Sequence, residues 1–518
     1  MWLTRLRGLL GRVTMYRVVS LVLLALVLVA LVQAATSRLD PSIFSIRAMT
    51  ATLAVLLATS VITSHLLALT VQRRPHTESA VITALLLWFL YWPTTDVIEL
   101  GWLTLAAFLA QASKYALAWR GRHVFNPAAA GVALLVVIGA LVGDRAGTPP
   151  PMTTWWVASE AMLPYVAAGA LLVLYRTGRW APAVAFTSAA ALLTYTGALV
   201  FAASRSAALE YTAFSTPIVF FAGFMLSEPL TQPPRRRQQV ALALVAAAVF
   251  AWPLCQLRFL DTPVGLGPFE GTFELALLVV NLVAFGFGQR GGIVLCATGT
   301  RRLGGDVYEF AFTPRRPLRF QAGQYLELQI SHFADIRGVR RLFTIVSVPG
   351  GDEVRLATRI PEDCSSFKRL LAGLEPGAEV FATGIQGDFV WPAGDEPLLL
   401  VAGGIGVTPF LSQLRSAPGR DAVLVYGAAS GSDLPYRAEL AESGVPVVLV
   451  CPDSPGELPP GWTHVRASAV TGDLVRAAVA DHARRRAFVS GPSVMVQAVA
   501  ADLRRSVLRV HTDHFTGY

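Results

Sequence analysis

The chain has 518 residues, of which 54% are hydrophobic and 15% are charged, and its mean hydropathy is +0.52. These values exclude a wholly soluble protein, because a soluble chain of this length carries more charge and less apolar surface. The formal net charge of +9 does not indicate a nucleic-acid partner, because many basic residues lie in short gaps between apolar stretches, where membrane topology accounts for them.

The first 288 residues are a series of apolar runs separated by short polar gaps. A helix needs about 20 apolar residues to cross a hydrocarbon core about 30 Å thick. The first run follows several arginines, but it lacks a small-residue cleavage site, so we predict a retained helix rather than a signal peptide. Residues 1–288 are therefore predicted to form a multi-pass α-helical membrane domain of ten helices. The runs are Tyr16–Ala35, Arg47–Thr70, Ser79–Pro93, Val97–Leu117, Pro127–Val142, Trp156–Tyr175, Ala181–Ala203, Phe214–Leu226, Val240–Leu257 and Thr272–Gly288.

Arginine and lysine are distributed unequally between alternate loops of this arrangement. Fifteen lie on the side of the amino terminus and five on the other side. Because positively charged loops remain in the cytoplasm, the amino terminus is predicted to be cytoplasmic, and ten spans return the carboxy-terminal half to the same side. Lysine occurs only at Lys114 and Lys368, a bias typical of GC-rich bacterial genomes. The expected location is a bacterial inner membrane.

The third and eighth runs are the shortest, and they occupy corresponding places if the ten helices are two sets of five. An odd number of helices in each set makes the two halves inverted repeats. Short or broken helices at matched positions of such repeats commonly line a site near the membrane midplane. Two short tilted helices without a ligand are the alternative.

Three segments of this half carry a resemblance to a known family. They read Ser79-Ala-Val-Ile-Thr-Ala-Leu-Leu-Leu, Phe125-Asn-Pro-Ala-Ala-Ala-Gly131 and Phe220-Phe-Ala-Gly-Phe-Met-Leu-Ser-Glu-Pro-Leu-Thr231. Together they resemble the RnfD/NqrB family, membrane subunits of ion-pumping oxidoreductases that carry flavin, over roughly residues 50–288. Asn126 is the candidate cofactor-binding residue of this half, and a helix cap followed by Pro127 is its alternative role.

The loop that carries covalent FMN in some members of that family departs from their pattern. Those members attach FMN to a Thr in a Ser-Gly-Ala-Thr-like loop, whereas the corresponding loop here ends Pro149-Pro-Pro-Met-Thr-Thr-Trp155 and lacks the motif. Covalent FMN is therefore not expected, and Thr153 and Thr154 are the only local candidates. A second, non-covalent flavin or a quinone is the expected membrane cofactor. The ionisable residues near the runs are predicted to lie at helix ends and to form no buried proton or ion relay: Glu99, Lys114, Glu160, Glu228 and Glu274.

After Gly292 the pattern changes to strands and turns, and from about residue 396 to alternating strands and helices. We predict a β-barrel over 292–392 and an α/β nucleotide-binding domain over 396–518. The motif Arg341-Leu-Phe-Thr344 and the segments Cys364-Ser-Ser-Phe367 and Gly384-Ile-Gln-Gly-Asp-Phe389 resemble the FAD domain of the ferredoxin-NADP reductase superfamily. An aromatic ring packs on flavin, hydroxyls bond its edge, and a guanidinium donates to phosphate. The expected FAD-binding residues are Arg341, Phe343, Thr344, Ser347, Ser365 and Ser366.

The second domain opens with the buried-strand run Pro397-Leu-Leu-Leu-Val-Ala402, which leads into Gly403-Gly-Ile-Gly-Val-Thr-Pro409. Glycines let the backbone approach a pyrophosphate at the start of a helix. With Phe488-Val-Ser-Gly-Pro492, this order resembles the nicotinamide-binding half of the same superfamily. The absence of Arg or Lys between Tyr426 and Arg437 favours NADH over NADPH but leaves both open. The expected binding residues are Gly403, Gly404, Gly406, Thr408, Pro409, Gly491, Pro492 and Met495, and the expected catalytic residues are Thr344, Ser490, Phe515 and Tyr518.

These features predict a membrane-bound, FAD-dependent NAD(P)H oxidoreductase. A hydride would pass from NADH or NADPH to FAD on the cytoplasmic side, and electrons would then reach a bound flavin, a quinone or an extracytoplasmic flavoprotein. A redox-regulated small-solute or ion transporter is one alternative. A ferric-reductase-like enzyme is another, but it requires paired haem-ligating histidines, and only His65 lies well inside a predicted span. The four cysteines stand far apart without a Cys-x-x-Cys pair, which argues against an iron–sulfur cluster: Cys255, Cys296, Cys364 and Cys451.

Overall fold

The chain divides into two compact units, residues 1–290 and residues 291–518, in a computed structural model. The division falls within a few residues of the composition change near Gly292. The structure describes residues 15–70, 77–119, 122–142, 149–228, 231–233, 236–257, 273–287, 292–330, 332, 340–431, 434–507 and 509–513.

Apart from one short strand pair, β1 Ala118–Trp119 with β2 Arg122–His123, the regular secondary structure in the described part of the amino-terminal unit is helical. Three helical stretches are long and apolar enough to cross a membrane, namely Met15–Ala35, Ile46–Thr70 and Arg205–Met225. The ten-helix inverted repeat stays a prediction. The helices are α1 Met15–Ala35, α2 Ile46–Thr70, α3 Thr77–Leu90, α4 Val97–Ala116, α5 Pro127–Val142, α6 Leu163–Thr177, α7 Trp180–Ala198, α8 Arg205–Phe214, α9 Ile218–Phe220, continued by a π-helical turn Phe221–Met225, α10 Arg236–Phe250, α11 Trp252–Leu257 and α12 Phe273–Gly286.

Prolines explain where the helices depart from the predicted apolar runs. The sixth run was expected to begin at Trp156, but α6 begins at Leu163, with Pro164 in its first turn. The eighth run is interrupted before Ile218 by Pro217, and the ninth is interrupted at Ala251, just before Pro253. Proline has no N–H to donate and its ring clashes with the preceding turn, so it is tolerated at a helix start and breaks a helix interior. The expectation of one continuous helix over each of these runs was therefore wrong.

The third and eighth runs meet in the structure, and aromatic rings fill their junction. The rings of Phe89 and Phe220 lie 5.5 Å apart between centroids. Trp156 packs against Trp88 and Phe89 at 5.0 and 5.3 Å. The indole N–H of Trp156 donates to the carbonyl of Tyr91 at 2.9 Å. This junction, where we expected a ligand at the membrane midplane, is a packed aromatic core.

The carboxy-terminal unit begins with six antiparallel strands in the order β6-β5-β8-β3-β4-β7. A bridge between Ile345 and Leu356 links the two outer strands and closes the sheet into a barrel. The sequence prediction of a β-barrel is confirmed. The strands are β3 Gly292–Gly304, β4 Val307–Pro314, β5 Tyr325–Gln329, β6 Arg340–Thr344, β7 Val354–Arg359 and β8 Glu379–Gln386, and a helix α13 spans Ser366–Ala372.

The rest of the unit is a parallel sheet of six strands in the order β12-β11-β10-β9-β13-β14, with helices between the strands. Every residue of the central strand β9 is buried, as expected for a parallel strand covered on both faces. The predicted α/β domain is confirmed. Its strands are β9 Leu398–Gly403, β10 Ala422–Gly427, β11 Val447–Cys451, β12 Trp462–Arg466, β13 Arg486–Ser490 and β14 Val510–Asp513, and its helices are α14 Thr408–Ser416, α15 Arg437–Glu442, α16 Gly472–Ala478 and α17 Ser493–Leu503.

Buried polar contacts join the barrel to the α/β domain. The Tyr436 hydroxyl donates to the Glu309 carboxylate at 2.8 Å, and both side chains are buried. Arg301 bridges Glu309 at 3.1 Å and Glu439 at 2.7 Å. Tyr436 has a φ of +62°, which is unfavourable for a bulky residue and is retained here by its contacts. These contacts fix the two halves of the unit against each other.

Candidate functional site

The carboxyl ends of β9 and β13 form the predicted nucleotide site. From β9 the chain crosses to β10 on one side of the sheet, whereas β13 pairs with the other side of β9. The strand order therefore reverses next to β9, and ligands of open parallel sheets bind at the carboxyl edge at such a point. Ser490, the last residue of β13, pairs with Ala402 of β9. The structure thus places Ser490 beside the glycine-rich turn that starts at Gly403.

Glycines at this edge pack so closely that side chains are excluded. A Cβ on Gly403 would lie 2.6 Å from the sulfur of Met495 and 2.9 Å from the ring of Pro492. A Cβ on Gly406 would lie 2.5 Å from the Cα of Gly491. The glycine-rich turn at Gly403–Gly406 and the segment that begins at Ser490 are therefore in direct backbone contact.

Gly404 differs from these glycines because space is open around it. Its φ is +53°, and nothing lies within 4 Å of the position that a Cβ would take. Glycine is needed here for conformation rather than for packing, and the backbone is accessible to a ligand at this position.

The start of helix α14 closes the turn. The Thr408 hydroxyl donates to the Ile405 carbonyl at 3.0 Å, and Pro409 occupies the first turn of the helix. Thr408 is 3% exposed. Its hydroxyl holds the shape of the turn, and its contact with the nicotinamide cofactor stays a prediction.

Ser490 and Asp513 lie side by side on β13 and β14. Ser490 is fully buried, and its hydroxyl has no hydrogen-bond partner among the residues that the structure describes. The Oδ2 atom of Asp513 is likewise buried and without a described partner, and burial raises the pKa of this carboxyl to about 7. Unsatisfied buried polar groups are costly, so both groups fit contact with a bound ligand.

The sequence reasoning did not single out Asp513. The available signal was an acidic residue near the end of the chain in an otherwise strand-like segment, but its pairing with Ser490 depends on the sheet order. The predicted catalytic residues Phe515 and Tyr518 lie outside the described residues.

The predicted flavin motif lies on β6 and packs around Phe367. The rings of Phe343 and Phe367 are stacked, 6.1 Å apart, and the guanidinium of Arg341 lies 5.2 Å from the centre of the Phe367 ring. Phe343 is 5% exposed and belongs to the barrel core. The geometry therefore gives Phe343 a packing role, and the flavin contact stays a prediction.

The hydroxyl groups near this motif differ in whether they have a hydrogen-bond partner. The Ser347 hydroxyl accepts from the Arg355 N–H at 3.2 Å, and Ser365 caps helix α13. The Ser366 hydroxyl bonds the Nε2 of His332 at 2.9 Å. By contrast, the hydroxyl of Thr344 is buried and has no hydrogen-bond partner among the described residues. An orphaned hydroxyl beside this motif fits a flavin edge, which offers both donors and acceptors.

Thr344→Val provides a test of this fit. Valine keeps the shape and removes the hydroxyl, so the protein without flavin should keep its stability, because no described bond is lost. We expect the FAD dissociation constant to rise about tenfold, corresponding to about 1.4 kcal/mol for one hydrogen bond. Thr358→Val, at another buried threonine of the barrel, is the matched control. Equal FAD retention by the two variants, measured from flavin fluorescence, would exclude the Thr344 contact.

The three segments of the amino-terminal resemblance contribute to neighbouring polar contacts. The Asn126 amide donates to the Glu228 carboxylate at 3.0 Å, and its backbone N–H donates to the Asn281 side chain at 2.7 Å. His123 bonds the other Glu228 oxygen at 3.1 Å. The Asn126 side chain also accepts from the Ala129 N–H, which is the predicted helix cap.

Lys114 and Glu274 are also held inside the amino-terminal unit. The Lys114 ammonium donates to the Ser79 carbonyl and hydroxyl at 3.0 and 3.1 Å, and it interacts electrostatically with Glu228. Glu274 is 3% exposed and accepts from the indole N–H of Trp155 at 2.8 Å. These residues lie near helix ends as expected. Their hydrogen bonds inside the unit were not anticipated from the sequence, and the absence of a proton or ion relay stays a prediction.

Comparison with known proteins gives relatives of the carboxy-terminal unit. The chain is 34% identical over 221 residues to the reductase subunit of an aromatic O-demethylase from an Amycolatopsis species, which covers 39% of this chain and 62% of that protein. It is 30% identical over 229 residues to the reductase component of propane 2-monooxygenase from Mycolicibacterium goodii, which covers 41% and 64%. The chain thus spans less than two thirds of the length of these relatives.

Among solved structures, a cytochrome P450 reductase from Amycolatopsis aligns with 43% of this chain and 69% of its own, at 25% identity and a TM-score of 0.37. No protein-family model matches the chain. Both of the relatives described here are named as reductases, and they bear out the prediction of an FAD-dependent NAD(P)H oxidoreductase.

Proposed function

We propose that this protein is a membrane-bound NAD(P)H oxidoreductase. Its carboxy-terminal unit takes electrons from a reduced nicotinamide on the cytoplasmic side and delivers them to an acceptor in or across the membrane. The observation that carries the proposal is the meeting of Ser490 and Gly491 with the Gly403–Gly406 turn at the point where the strand order reverses. The names of the two relatives described above, a reductase subunit and a reductase component, support the same activity.

The residues of the carboxy-terminal unit fit both cofactors. Arg341, Thr344 and the segment at Ser365 would hold FAD, and the open backbone at Gly404 would hold the pyrophosphate of the nicotinamide cofactor. Bound FAD would supply the chemistry of accepting a hydride and releasing electrons one at a time. Ser490 would orient the nicotinamide, because its buried hydroxyl has no described partner within the protein.

The acceptor is proposed to be a second, non-covalent flavin or a quinone in the amino-terminal unit, or an extracytoplasmic flavoprotein beyond it. Its apolar helices and the resemblance to the RnfD/NqrB family support this assignment. The polar network of Asn126, Glu228 and Lys114 is the preferred location for the acceptor, since the junction of the third and eighth runs is filled by aromatic rings.

Purified full-length protein in detergent provides the test. We expect it to oxidise a reduced nicotinamide with ferricyanide, to release FAD on denaturation, and to reduce a water-soluble quinone. Two kinds of flavin in the extract would place the relay within this chain. If FAD-loaded protein oxidised neither NADH nor NADPH with any dye, this result would contradict the proposed function.

A further inference from the structure

Helix α14 connects the proposed nicotinamide site to the barrel. Its first turn closes the glycine-rich turn, because the Thr408 hydroxyl donates to the Ile405 carbonyl at 3.0 Å. One turn further along the helix, the Ser412 hydroxyl donates to the carbonyl of Ser347 at 2.7 Å. Ser347 lies three residues after Thr344 of the predicted flavin motif. A single side chain of α14 therefore joins the two segments that are proposed to hold the nicotinamide and the flavin.

The next residue of the helix makes a second contact with the barrel. The side-chain amide of Gln413 donates to the carbonyl of Phe389 at 2.6 Å. Gly323 packs directly against this hydrogen bond. Its φ is +93°, and a Cβ on it would clash with both the Phe389 oxygen and the Nε2 of Gln413. Glycine at this position therefore leaves room for the helix to reach the barrel.

The ring of Phe389 strengthens this junction from the barrel side. It packs against Phe410 of α14 at 5.6 Å and against Phe488 of β13 at 5.3 Å between ring centroids. Phe488 lies on the same strand as Ser490, the residue that is proposed to orient the nicotinamide. All three rings are buried, and a closely packed interior transmits a displacement rather than absorbing it. A shift of the barrel against α14 would therefore also shift the end of β13.

The two contacts of α14 are hydrogen bonds in a region that water does not reach. Ser412 is 0% exposed and Gln413 is 2% exposed. Apolar side chains would bury the same surface, but hydrogen bonds also fix the direction and the distance between their two atoms. This matters for hydride transfer, because the reacting atoms have to approach within about 3–3.5 Å. The contacts are therefore suited to set the position of one cofactor domain against the other.

We infer that Ser412 and Gln413 are positioning residues, which set the distance between a nicotinamide at Ser490 and a flavin at the barrel. The inference rests on the proposed function and adds the residues that align its two cofactors. In the transfer, a C–H bond of the reduced nicotinamide breaks, an N–H bond of the flavin forms, and both electrons of the broken bond move to the flavin. The donor is oxidised and FAD is reduced, and neither positioning residue gains or loses a proton.

The test follows anaerobic reduction of FAD by NADH or NADPH in FAD-loaded, detergent-purified full-length protein. Rapid mixing gives the reduction rate at saturating donor and the donor concentration that gives half of this rate. Long-wavelength charge-transfer absorbance reports how closely the nicotinamide stacks on the flavin. Ser412→Ala and Gln413→Leu should each lower the saturating rate about tenfold or more and weaken the charge-transfer absorbance, because small displacements of reacting groups are costly. The half-saturating concentration should stay within about twofold of native.

Ser416→Ala is the matched control, because the Ser416 hydroxyl donates to the Ser412 carbonyl within the helix at 2.6 Å. This variant should leave all three measurements unchanged. Unchanged saturating rates and charge-transfer absorbance in both test variants, or a higher half-saturating concentration alone, would overturn the positioning role. An effect in only one variant would overturn the inference for the other residue.

The ratio of flavin to protein separates positioning from folding. Ser412→Ala removes a single oxygen atom, so it decides the matter if Gln413→Leu loses FAD. Loss of FAD by Ser412→Ala would assign its hydrogen bond to folding and would also overturn the inference. If neither NADH nor NADPH reduced the FAD of the native protein, the proposed function itself would fail.

Discussion

Gly406→Val is expected to lower kcat/KM for the nicotinamide donor by about a hundredfold or more while leaving FAD bound. A Cβ at this position would lie 2.5 Å from the Cα of Gly491 and 2.6 Å from both the nitrogen of Gly491 and the carbonyl oxygen of Ser490. All three contacts are backbone atoms, so rotation of a side chain cannot relieve them. The turn or the end of β13 must move, and a shift of about 1 Å is enough to cost about a hundredfold in rate when it displaces a reacting group.

The matched control is Gly299→Val on β3, where nothing lies within 4 Å of the position of the new Cβ. The two variants add the same side chain to the same unit, so they separate a general cost of valine from the effect of moving Ser490. Steady-state kinetics with ferricyanide and the ratio of flavin to protein are the measurements. A Gly406→Val enzyme within about twofold of the native kcat/KM would show that this contact does not position the donor. Loss of FAD would show that the substitution disrupts the fold and not only the nicotinamide site.

The fold of the carboxy-terminal unit was predictable because its signals are local. The run at residues 397–402 contains no polar residue, and such a run between glycine-rich turns indicates a strand buried on both faces. The turn at Gly403–Gly406 follows it directly, so the strand, the turn and the helix could be predicted together. The position of Asp513 beside Ser490 could not, because it depends on which strands are neighbours in the sheet.

In the amino-terminal unit, the helical segments could likewise be predicted from local sequence, whereas the contacts between helices could not. Apolar composition located the helical segments, but the breaks at Pro217 and before Pro253 were overlooked inside otherwise apolar runs. Glu228 and Asn126 are about one hundred residues apart in sequence, so no periodicity relates them. Each could be recognised as a polar residue near a helix end, but their hydrogen bond follows from helix packing. Polar residues at the ends of apolar helices are therefore better judged by what they contact than by their depth in a run.

Glu228→Ala is expected to impair the amino-terminal unit selectively. The substitution removes the acceptor of hydrogen bonds from the Asn126 amide and His123, and it removes the negative charge that interacts with Lys114. The side chain of His123 is only 12% exposed, so water cannot readily replace the lost partner. Leaving polar partners of a partly buried carboxylate unsatisfied costs about 1–3 kcal/mol. This loss should appear as a lower midpoint in thermal unfolding followed by tryptophan fluorescence.

Activity measurements on the same variant separate the two units. Ferricyanide reduction depends on the carboxy-terminal unit and should stay within about twofold of native, whereas reduction of a quinone should fall at least tenfold if the acceptor lies at this network. Glu210→Ala removes an exposed carboxylate on α8 and is the control for the loss of a charge alone. If quinone reduction survives while the unfolding midpoint falls, the network is structural and the acceptor lies elsewhere. If quinone reduction and the unfolding midpoint are both unchanged, Glu228 does not hold the unit together. Other contacts then bring the segments of Asn126 and Glu228 into proximity.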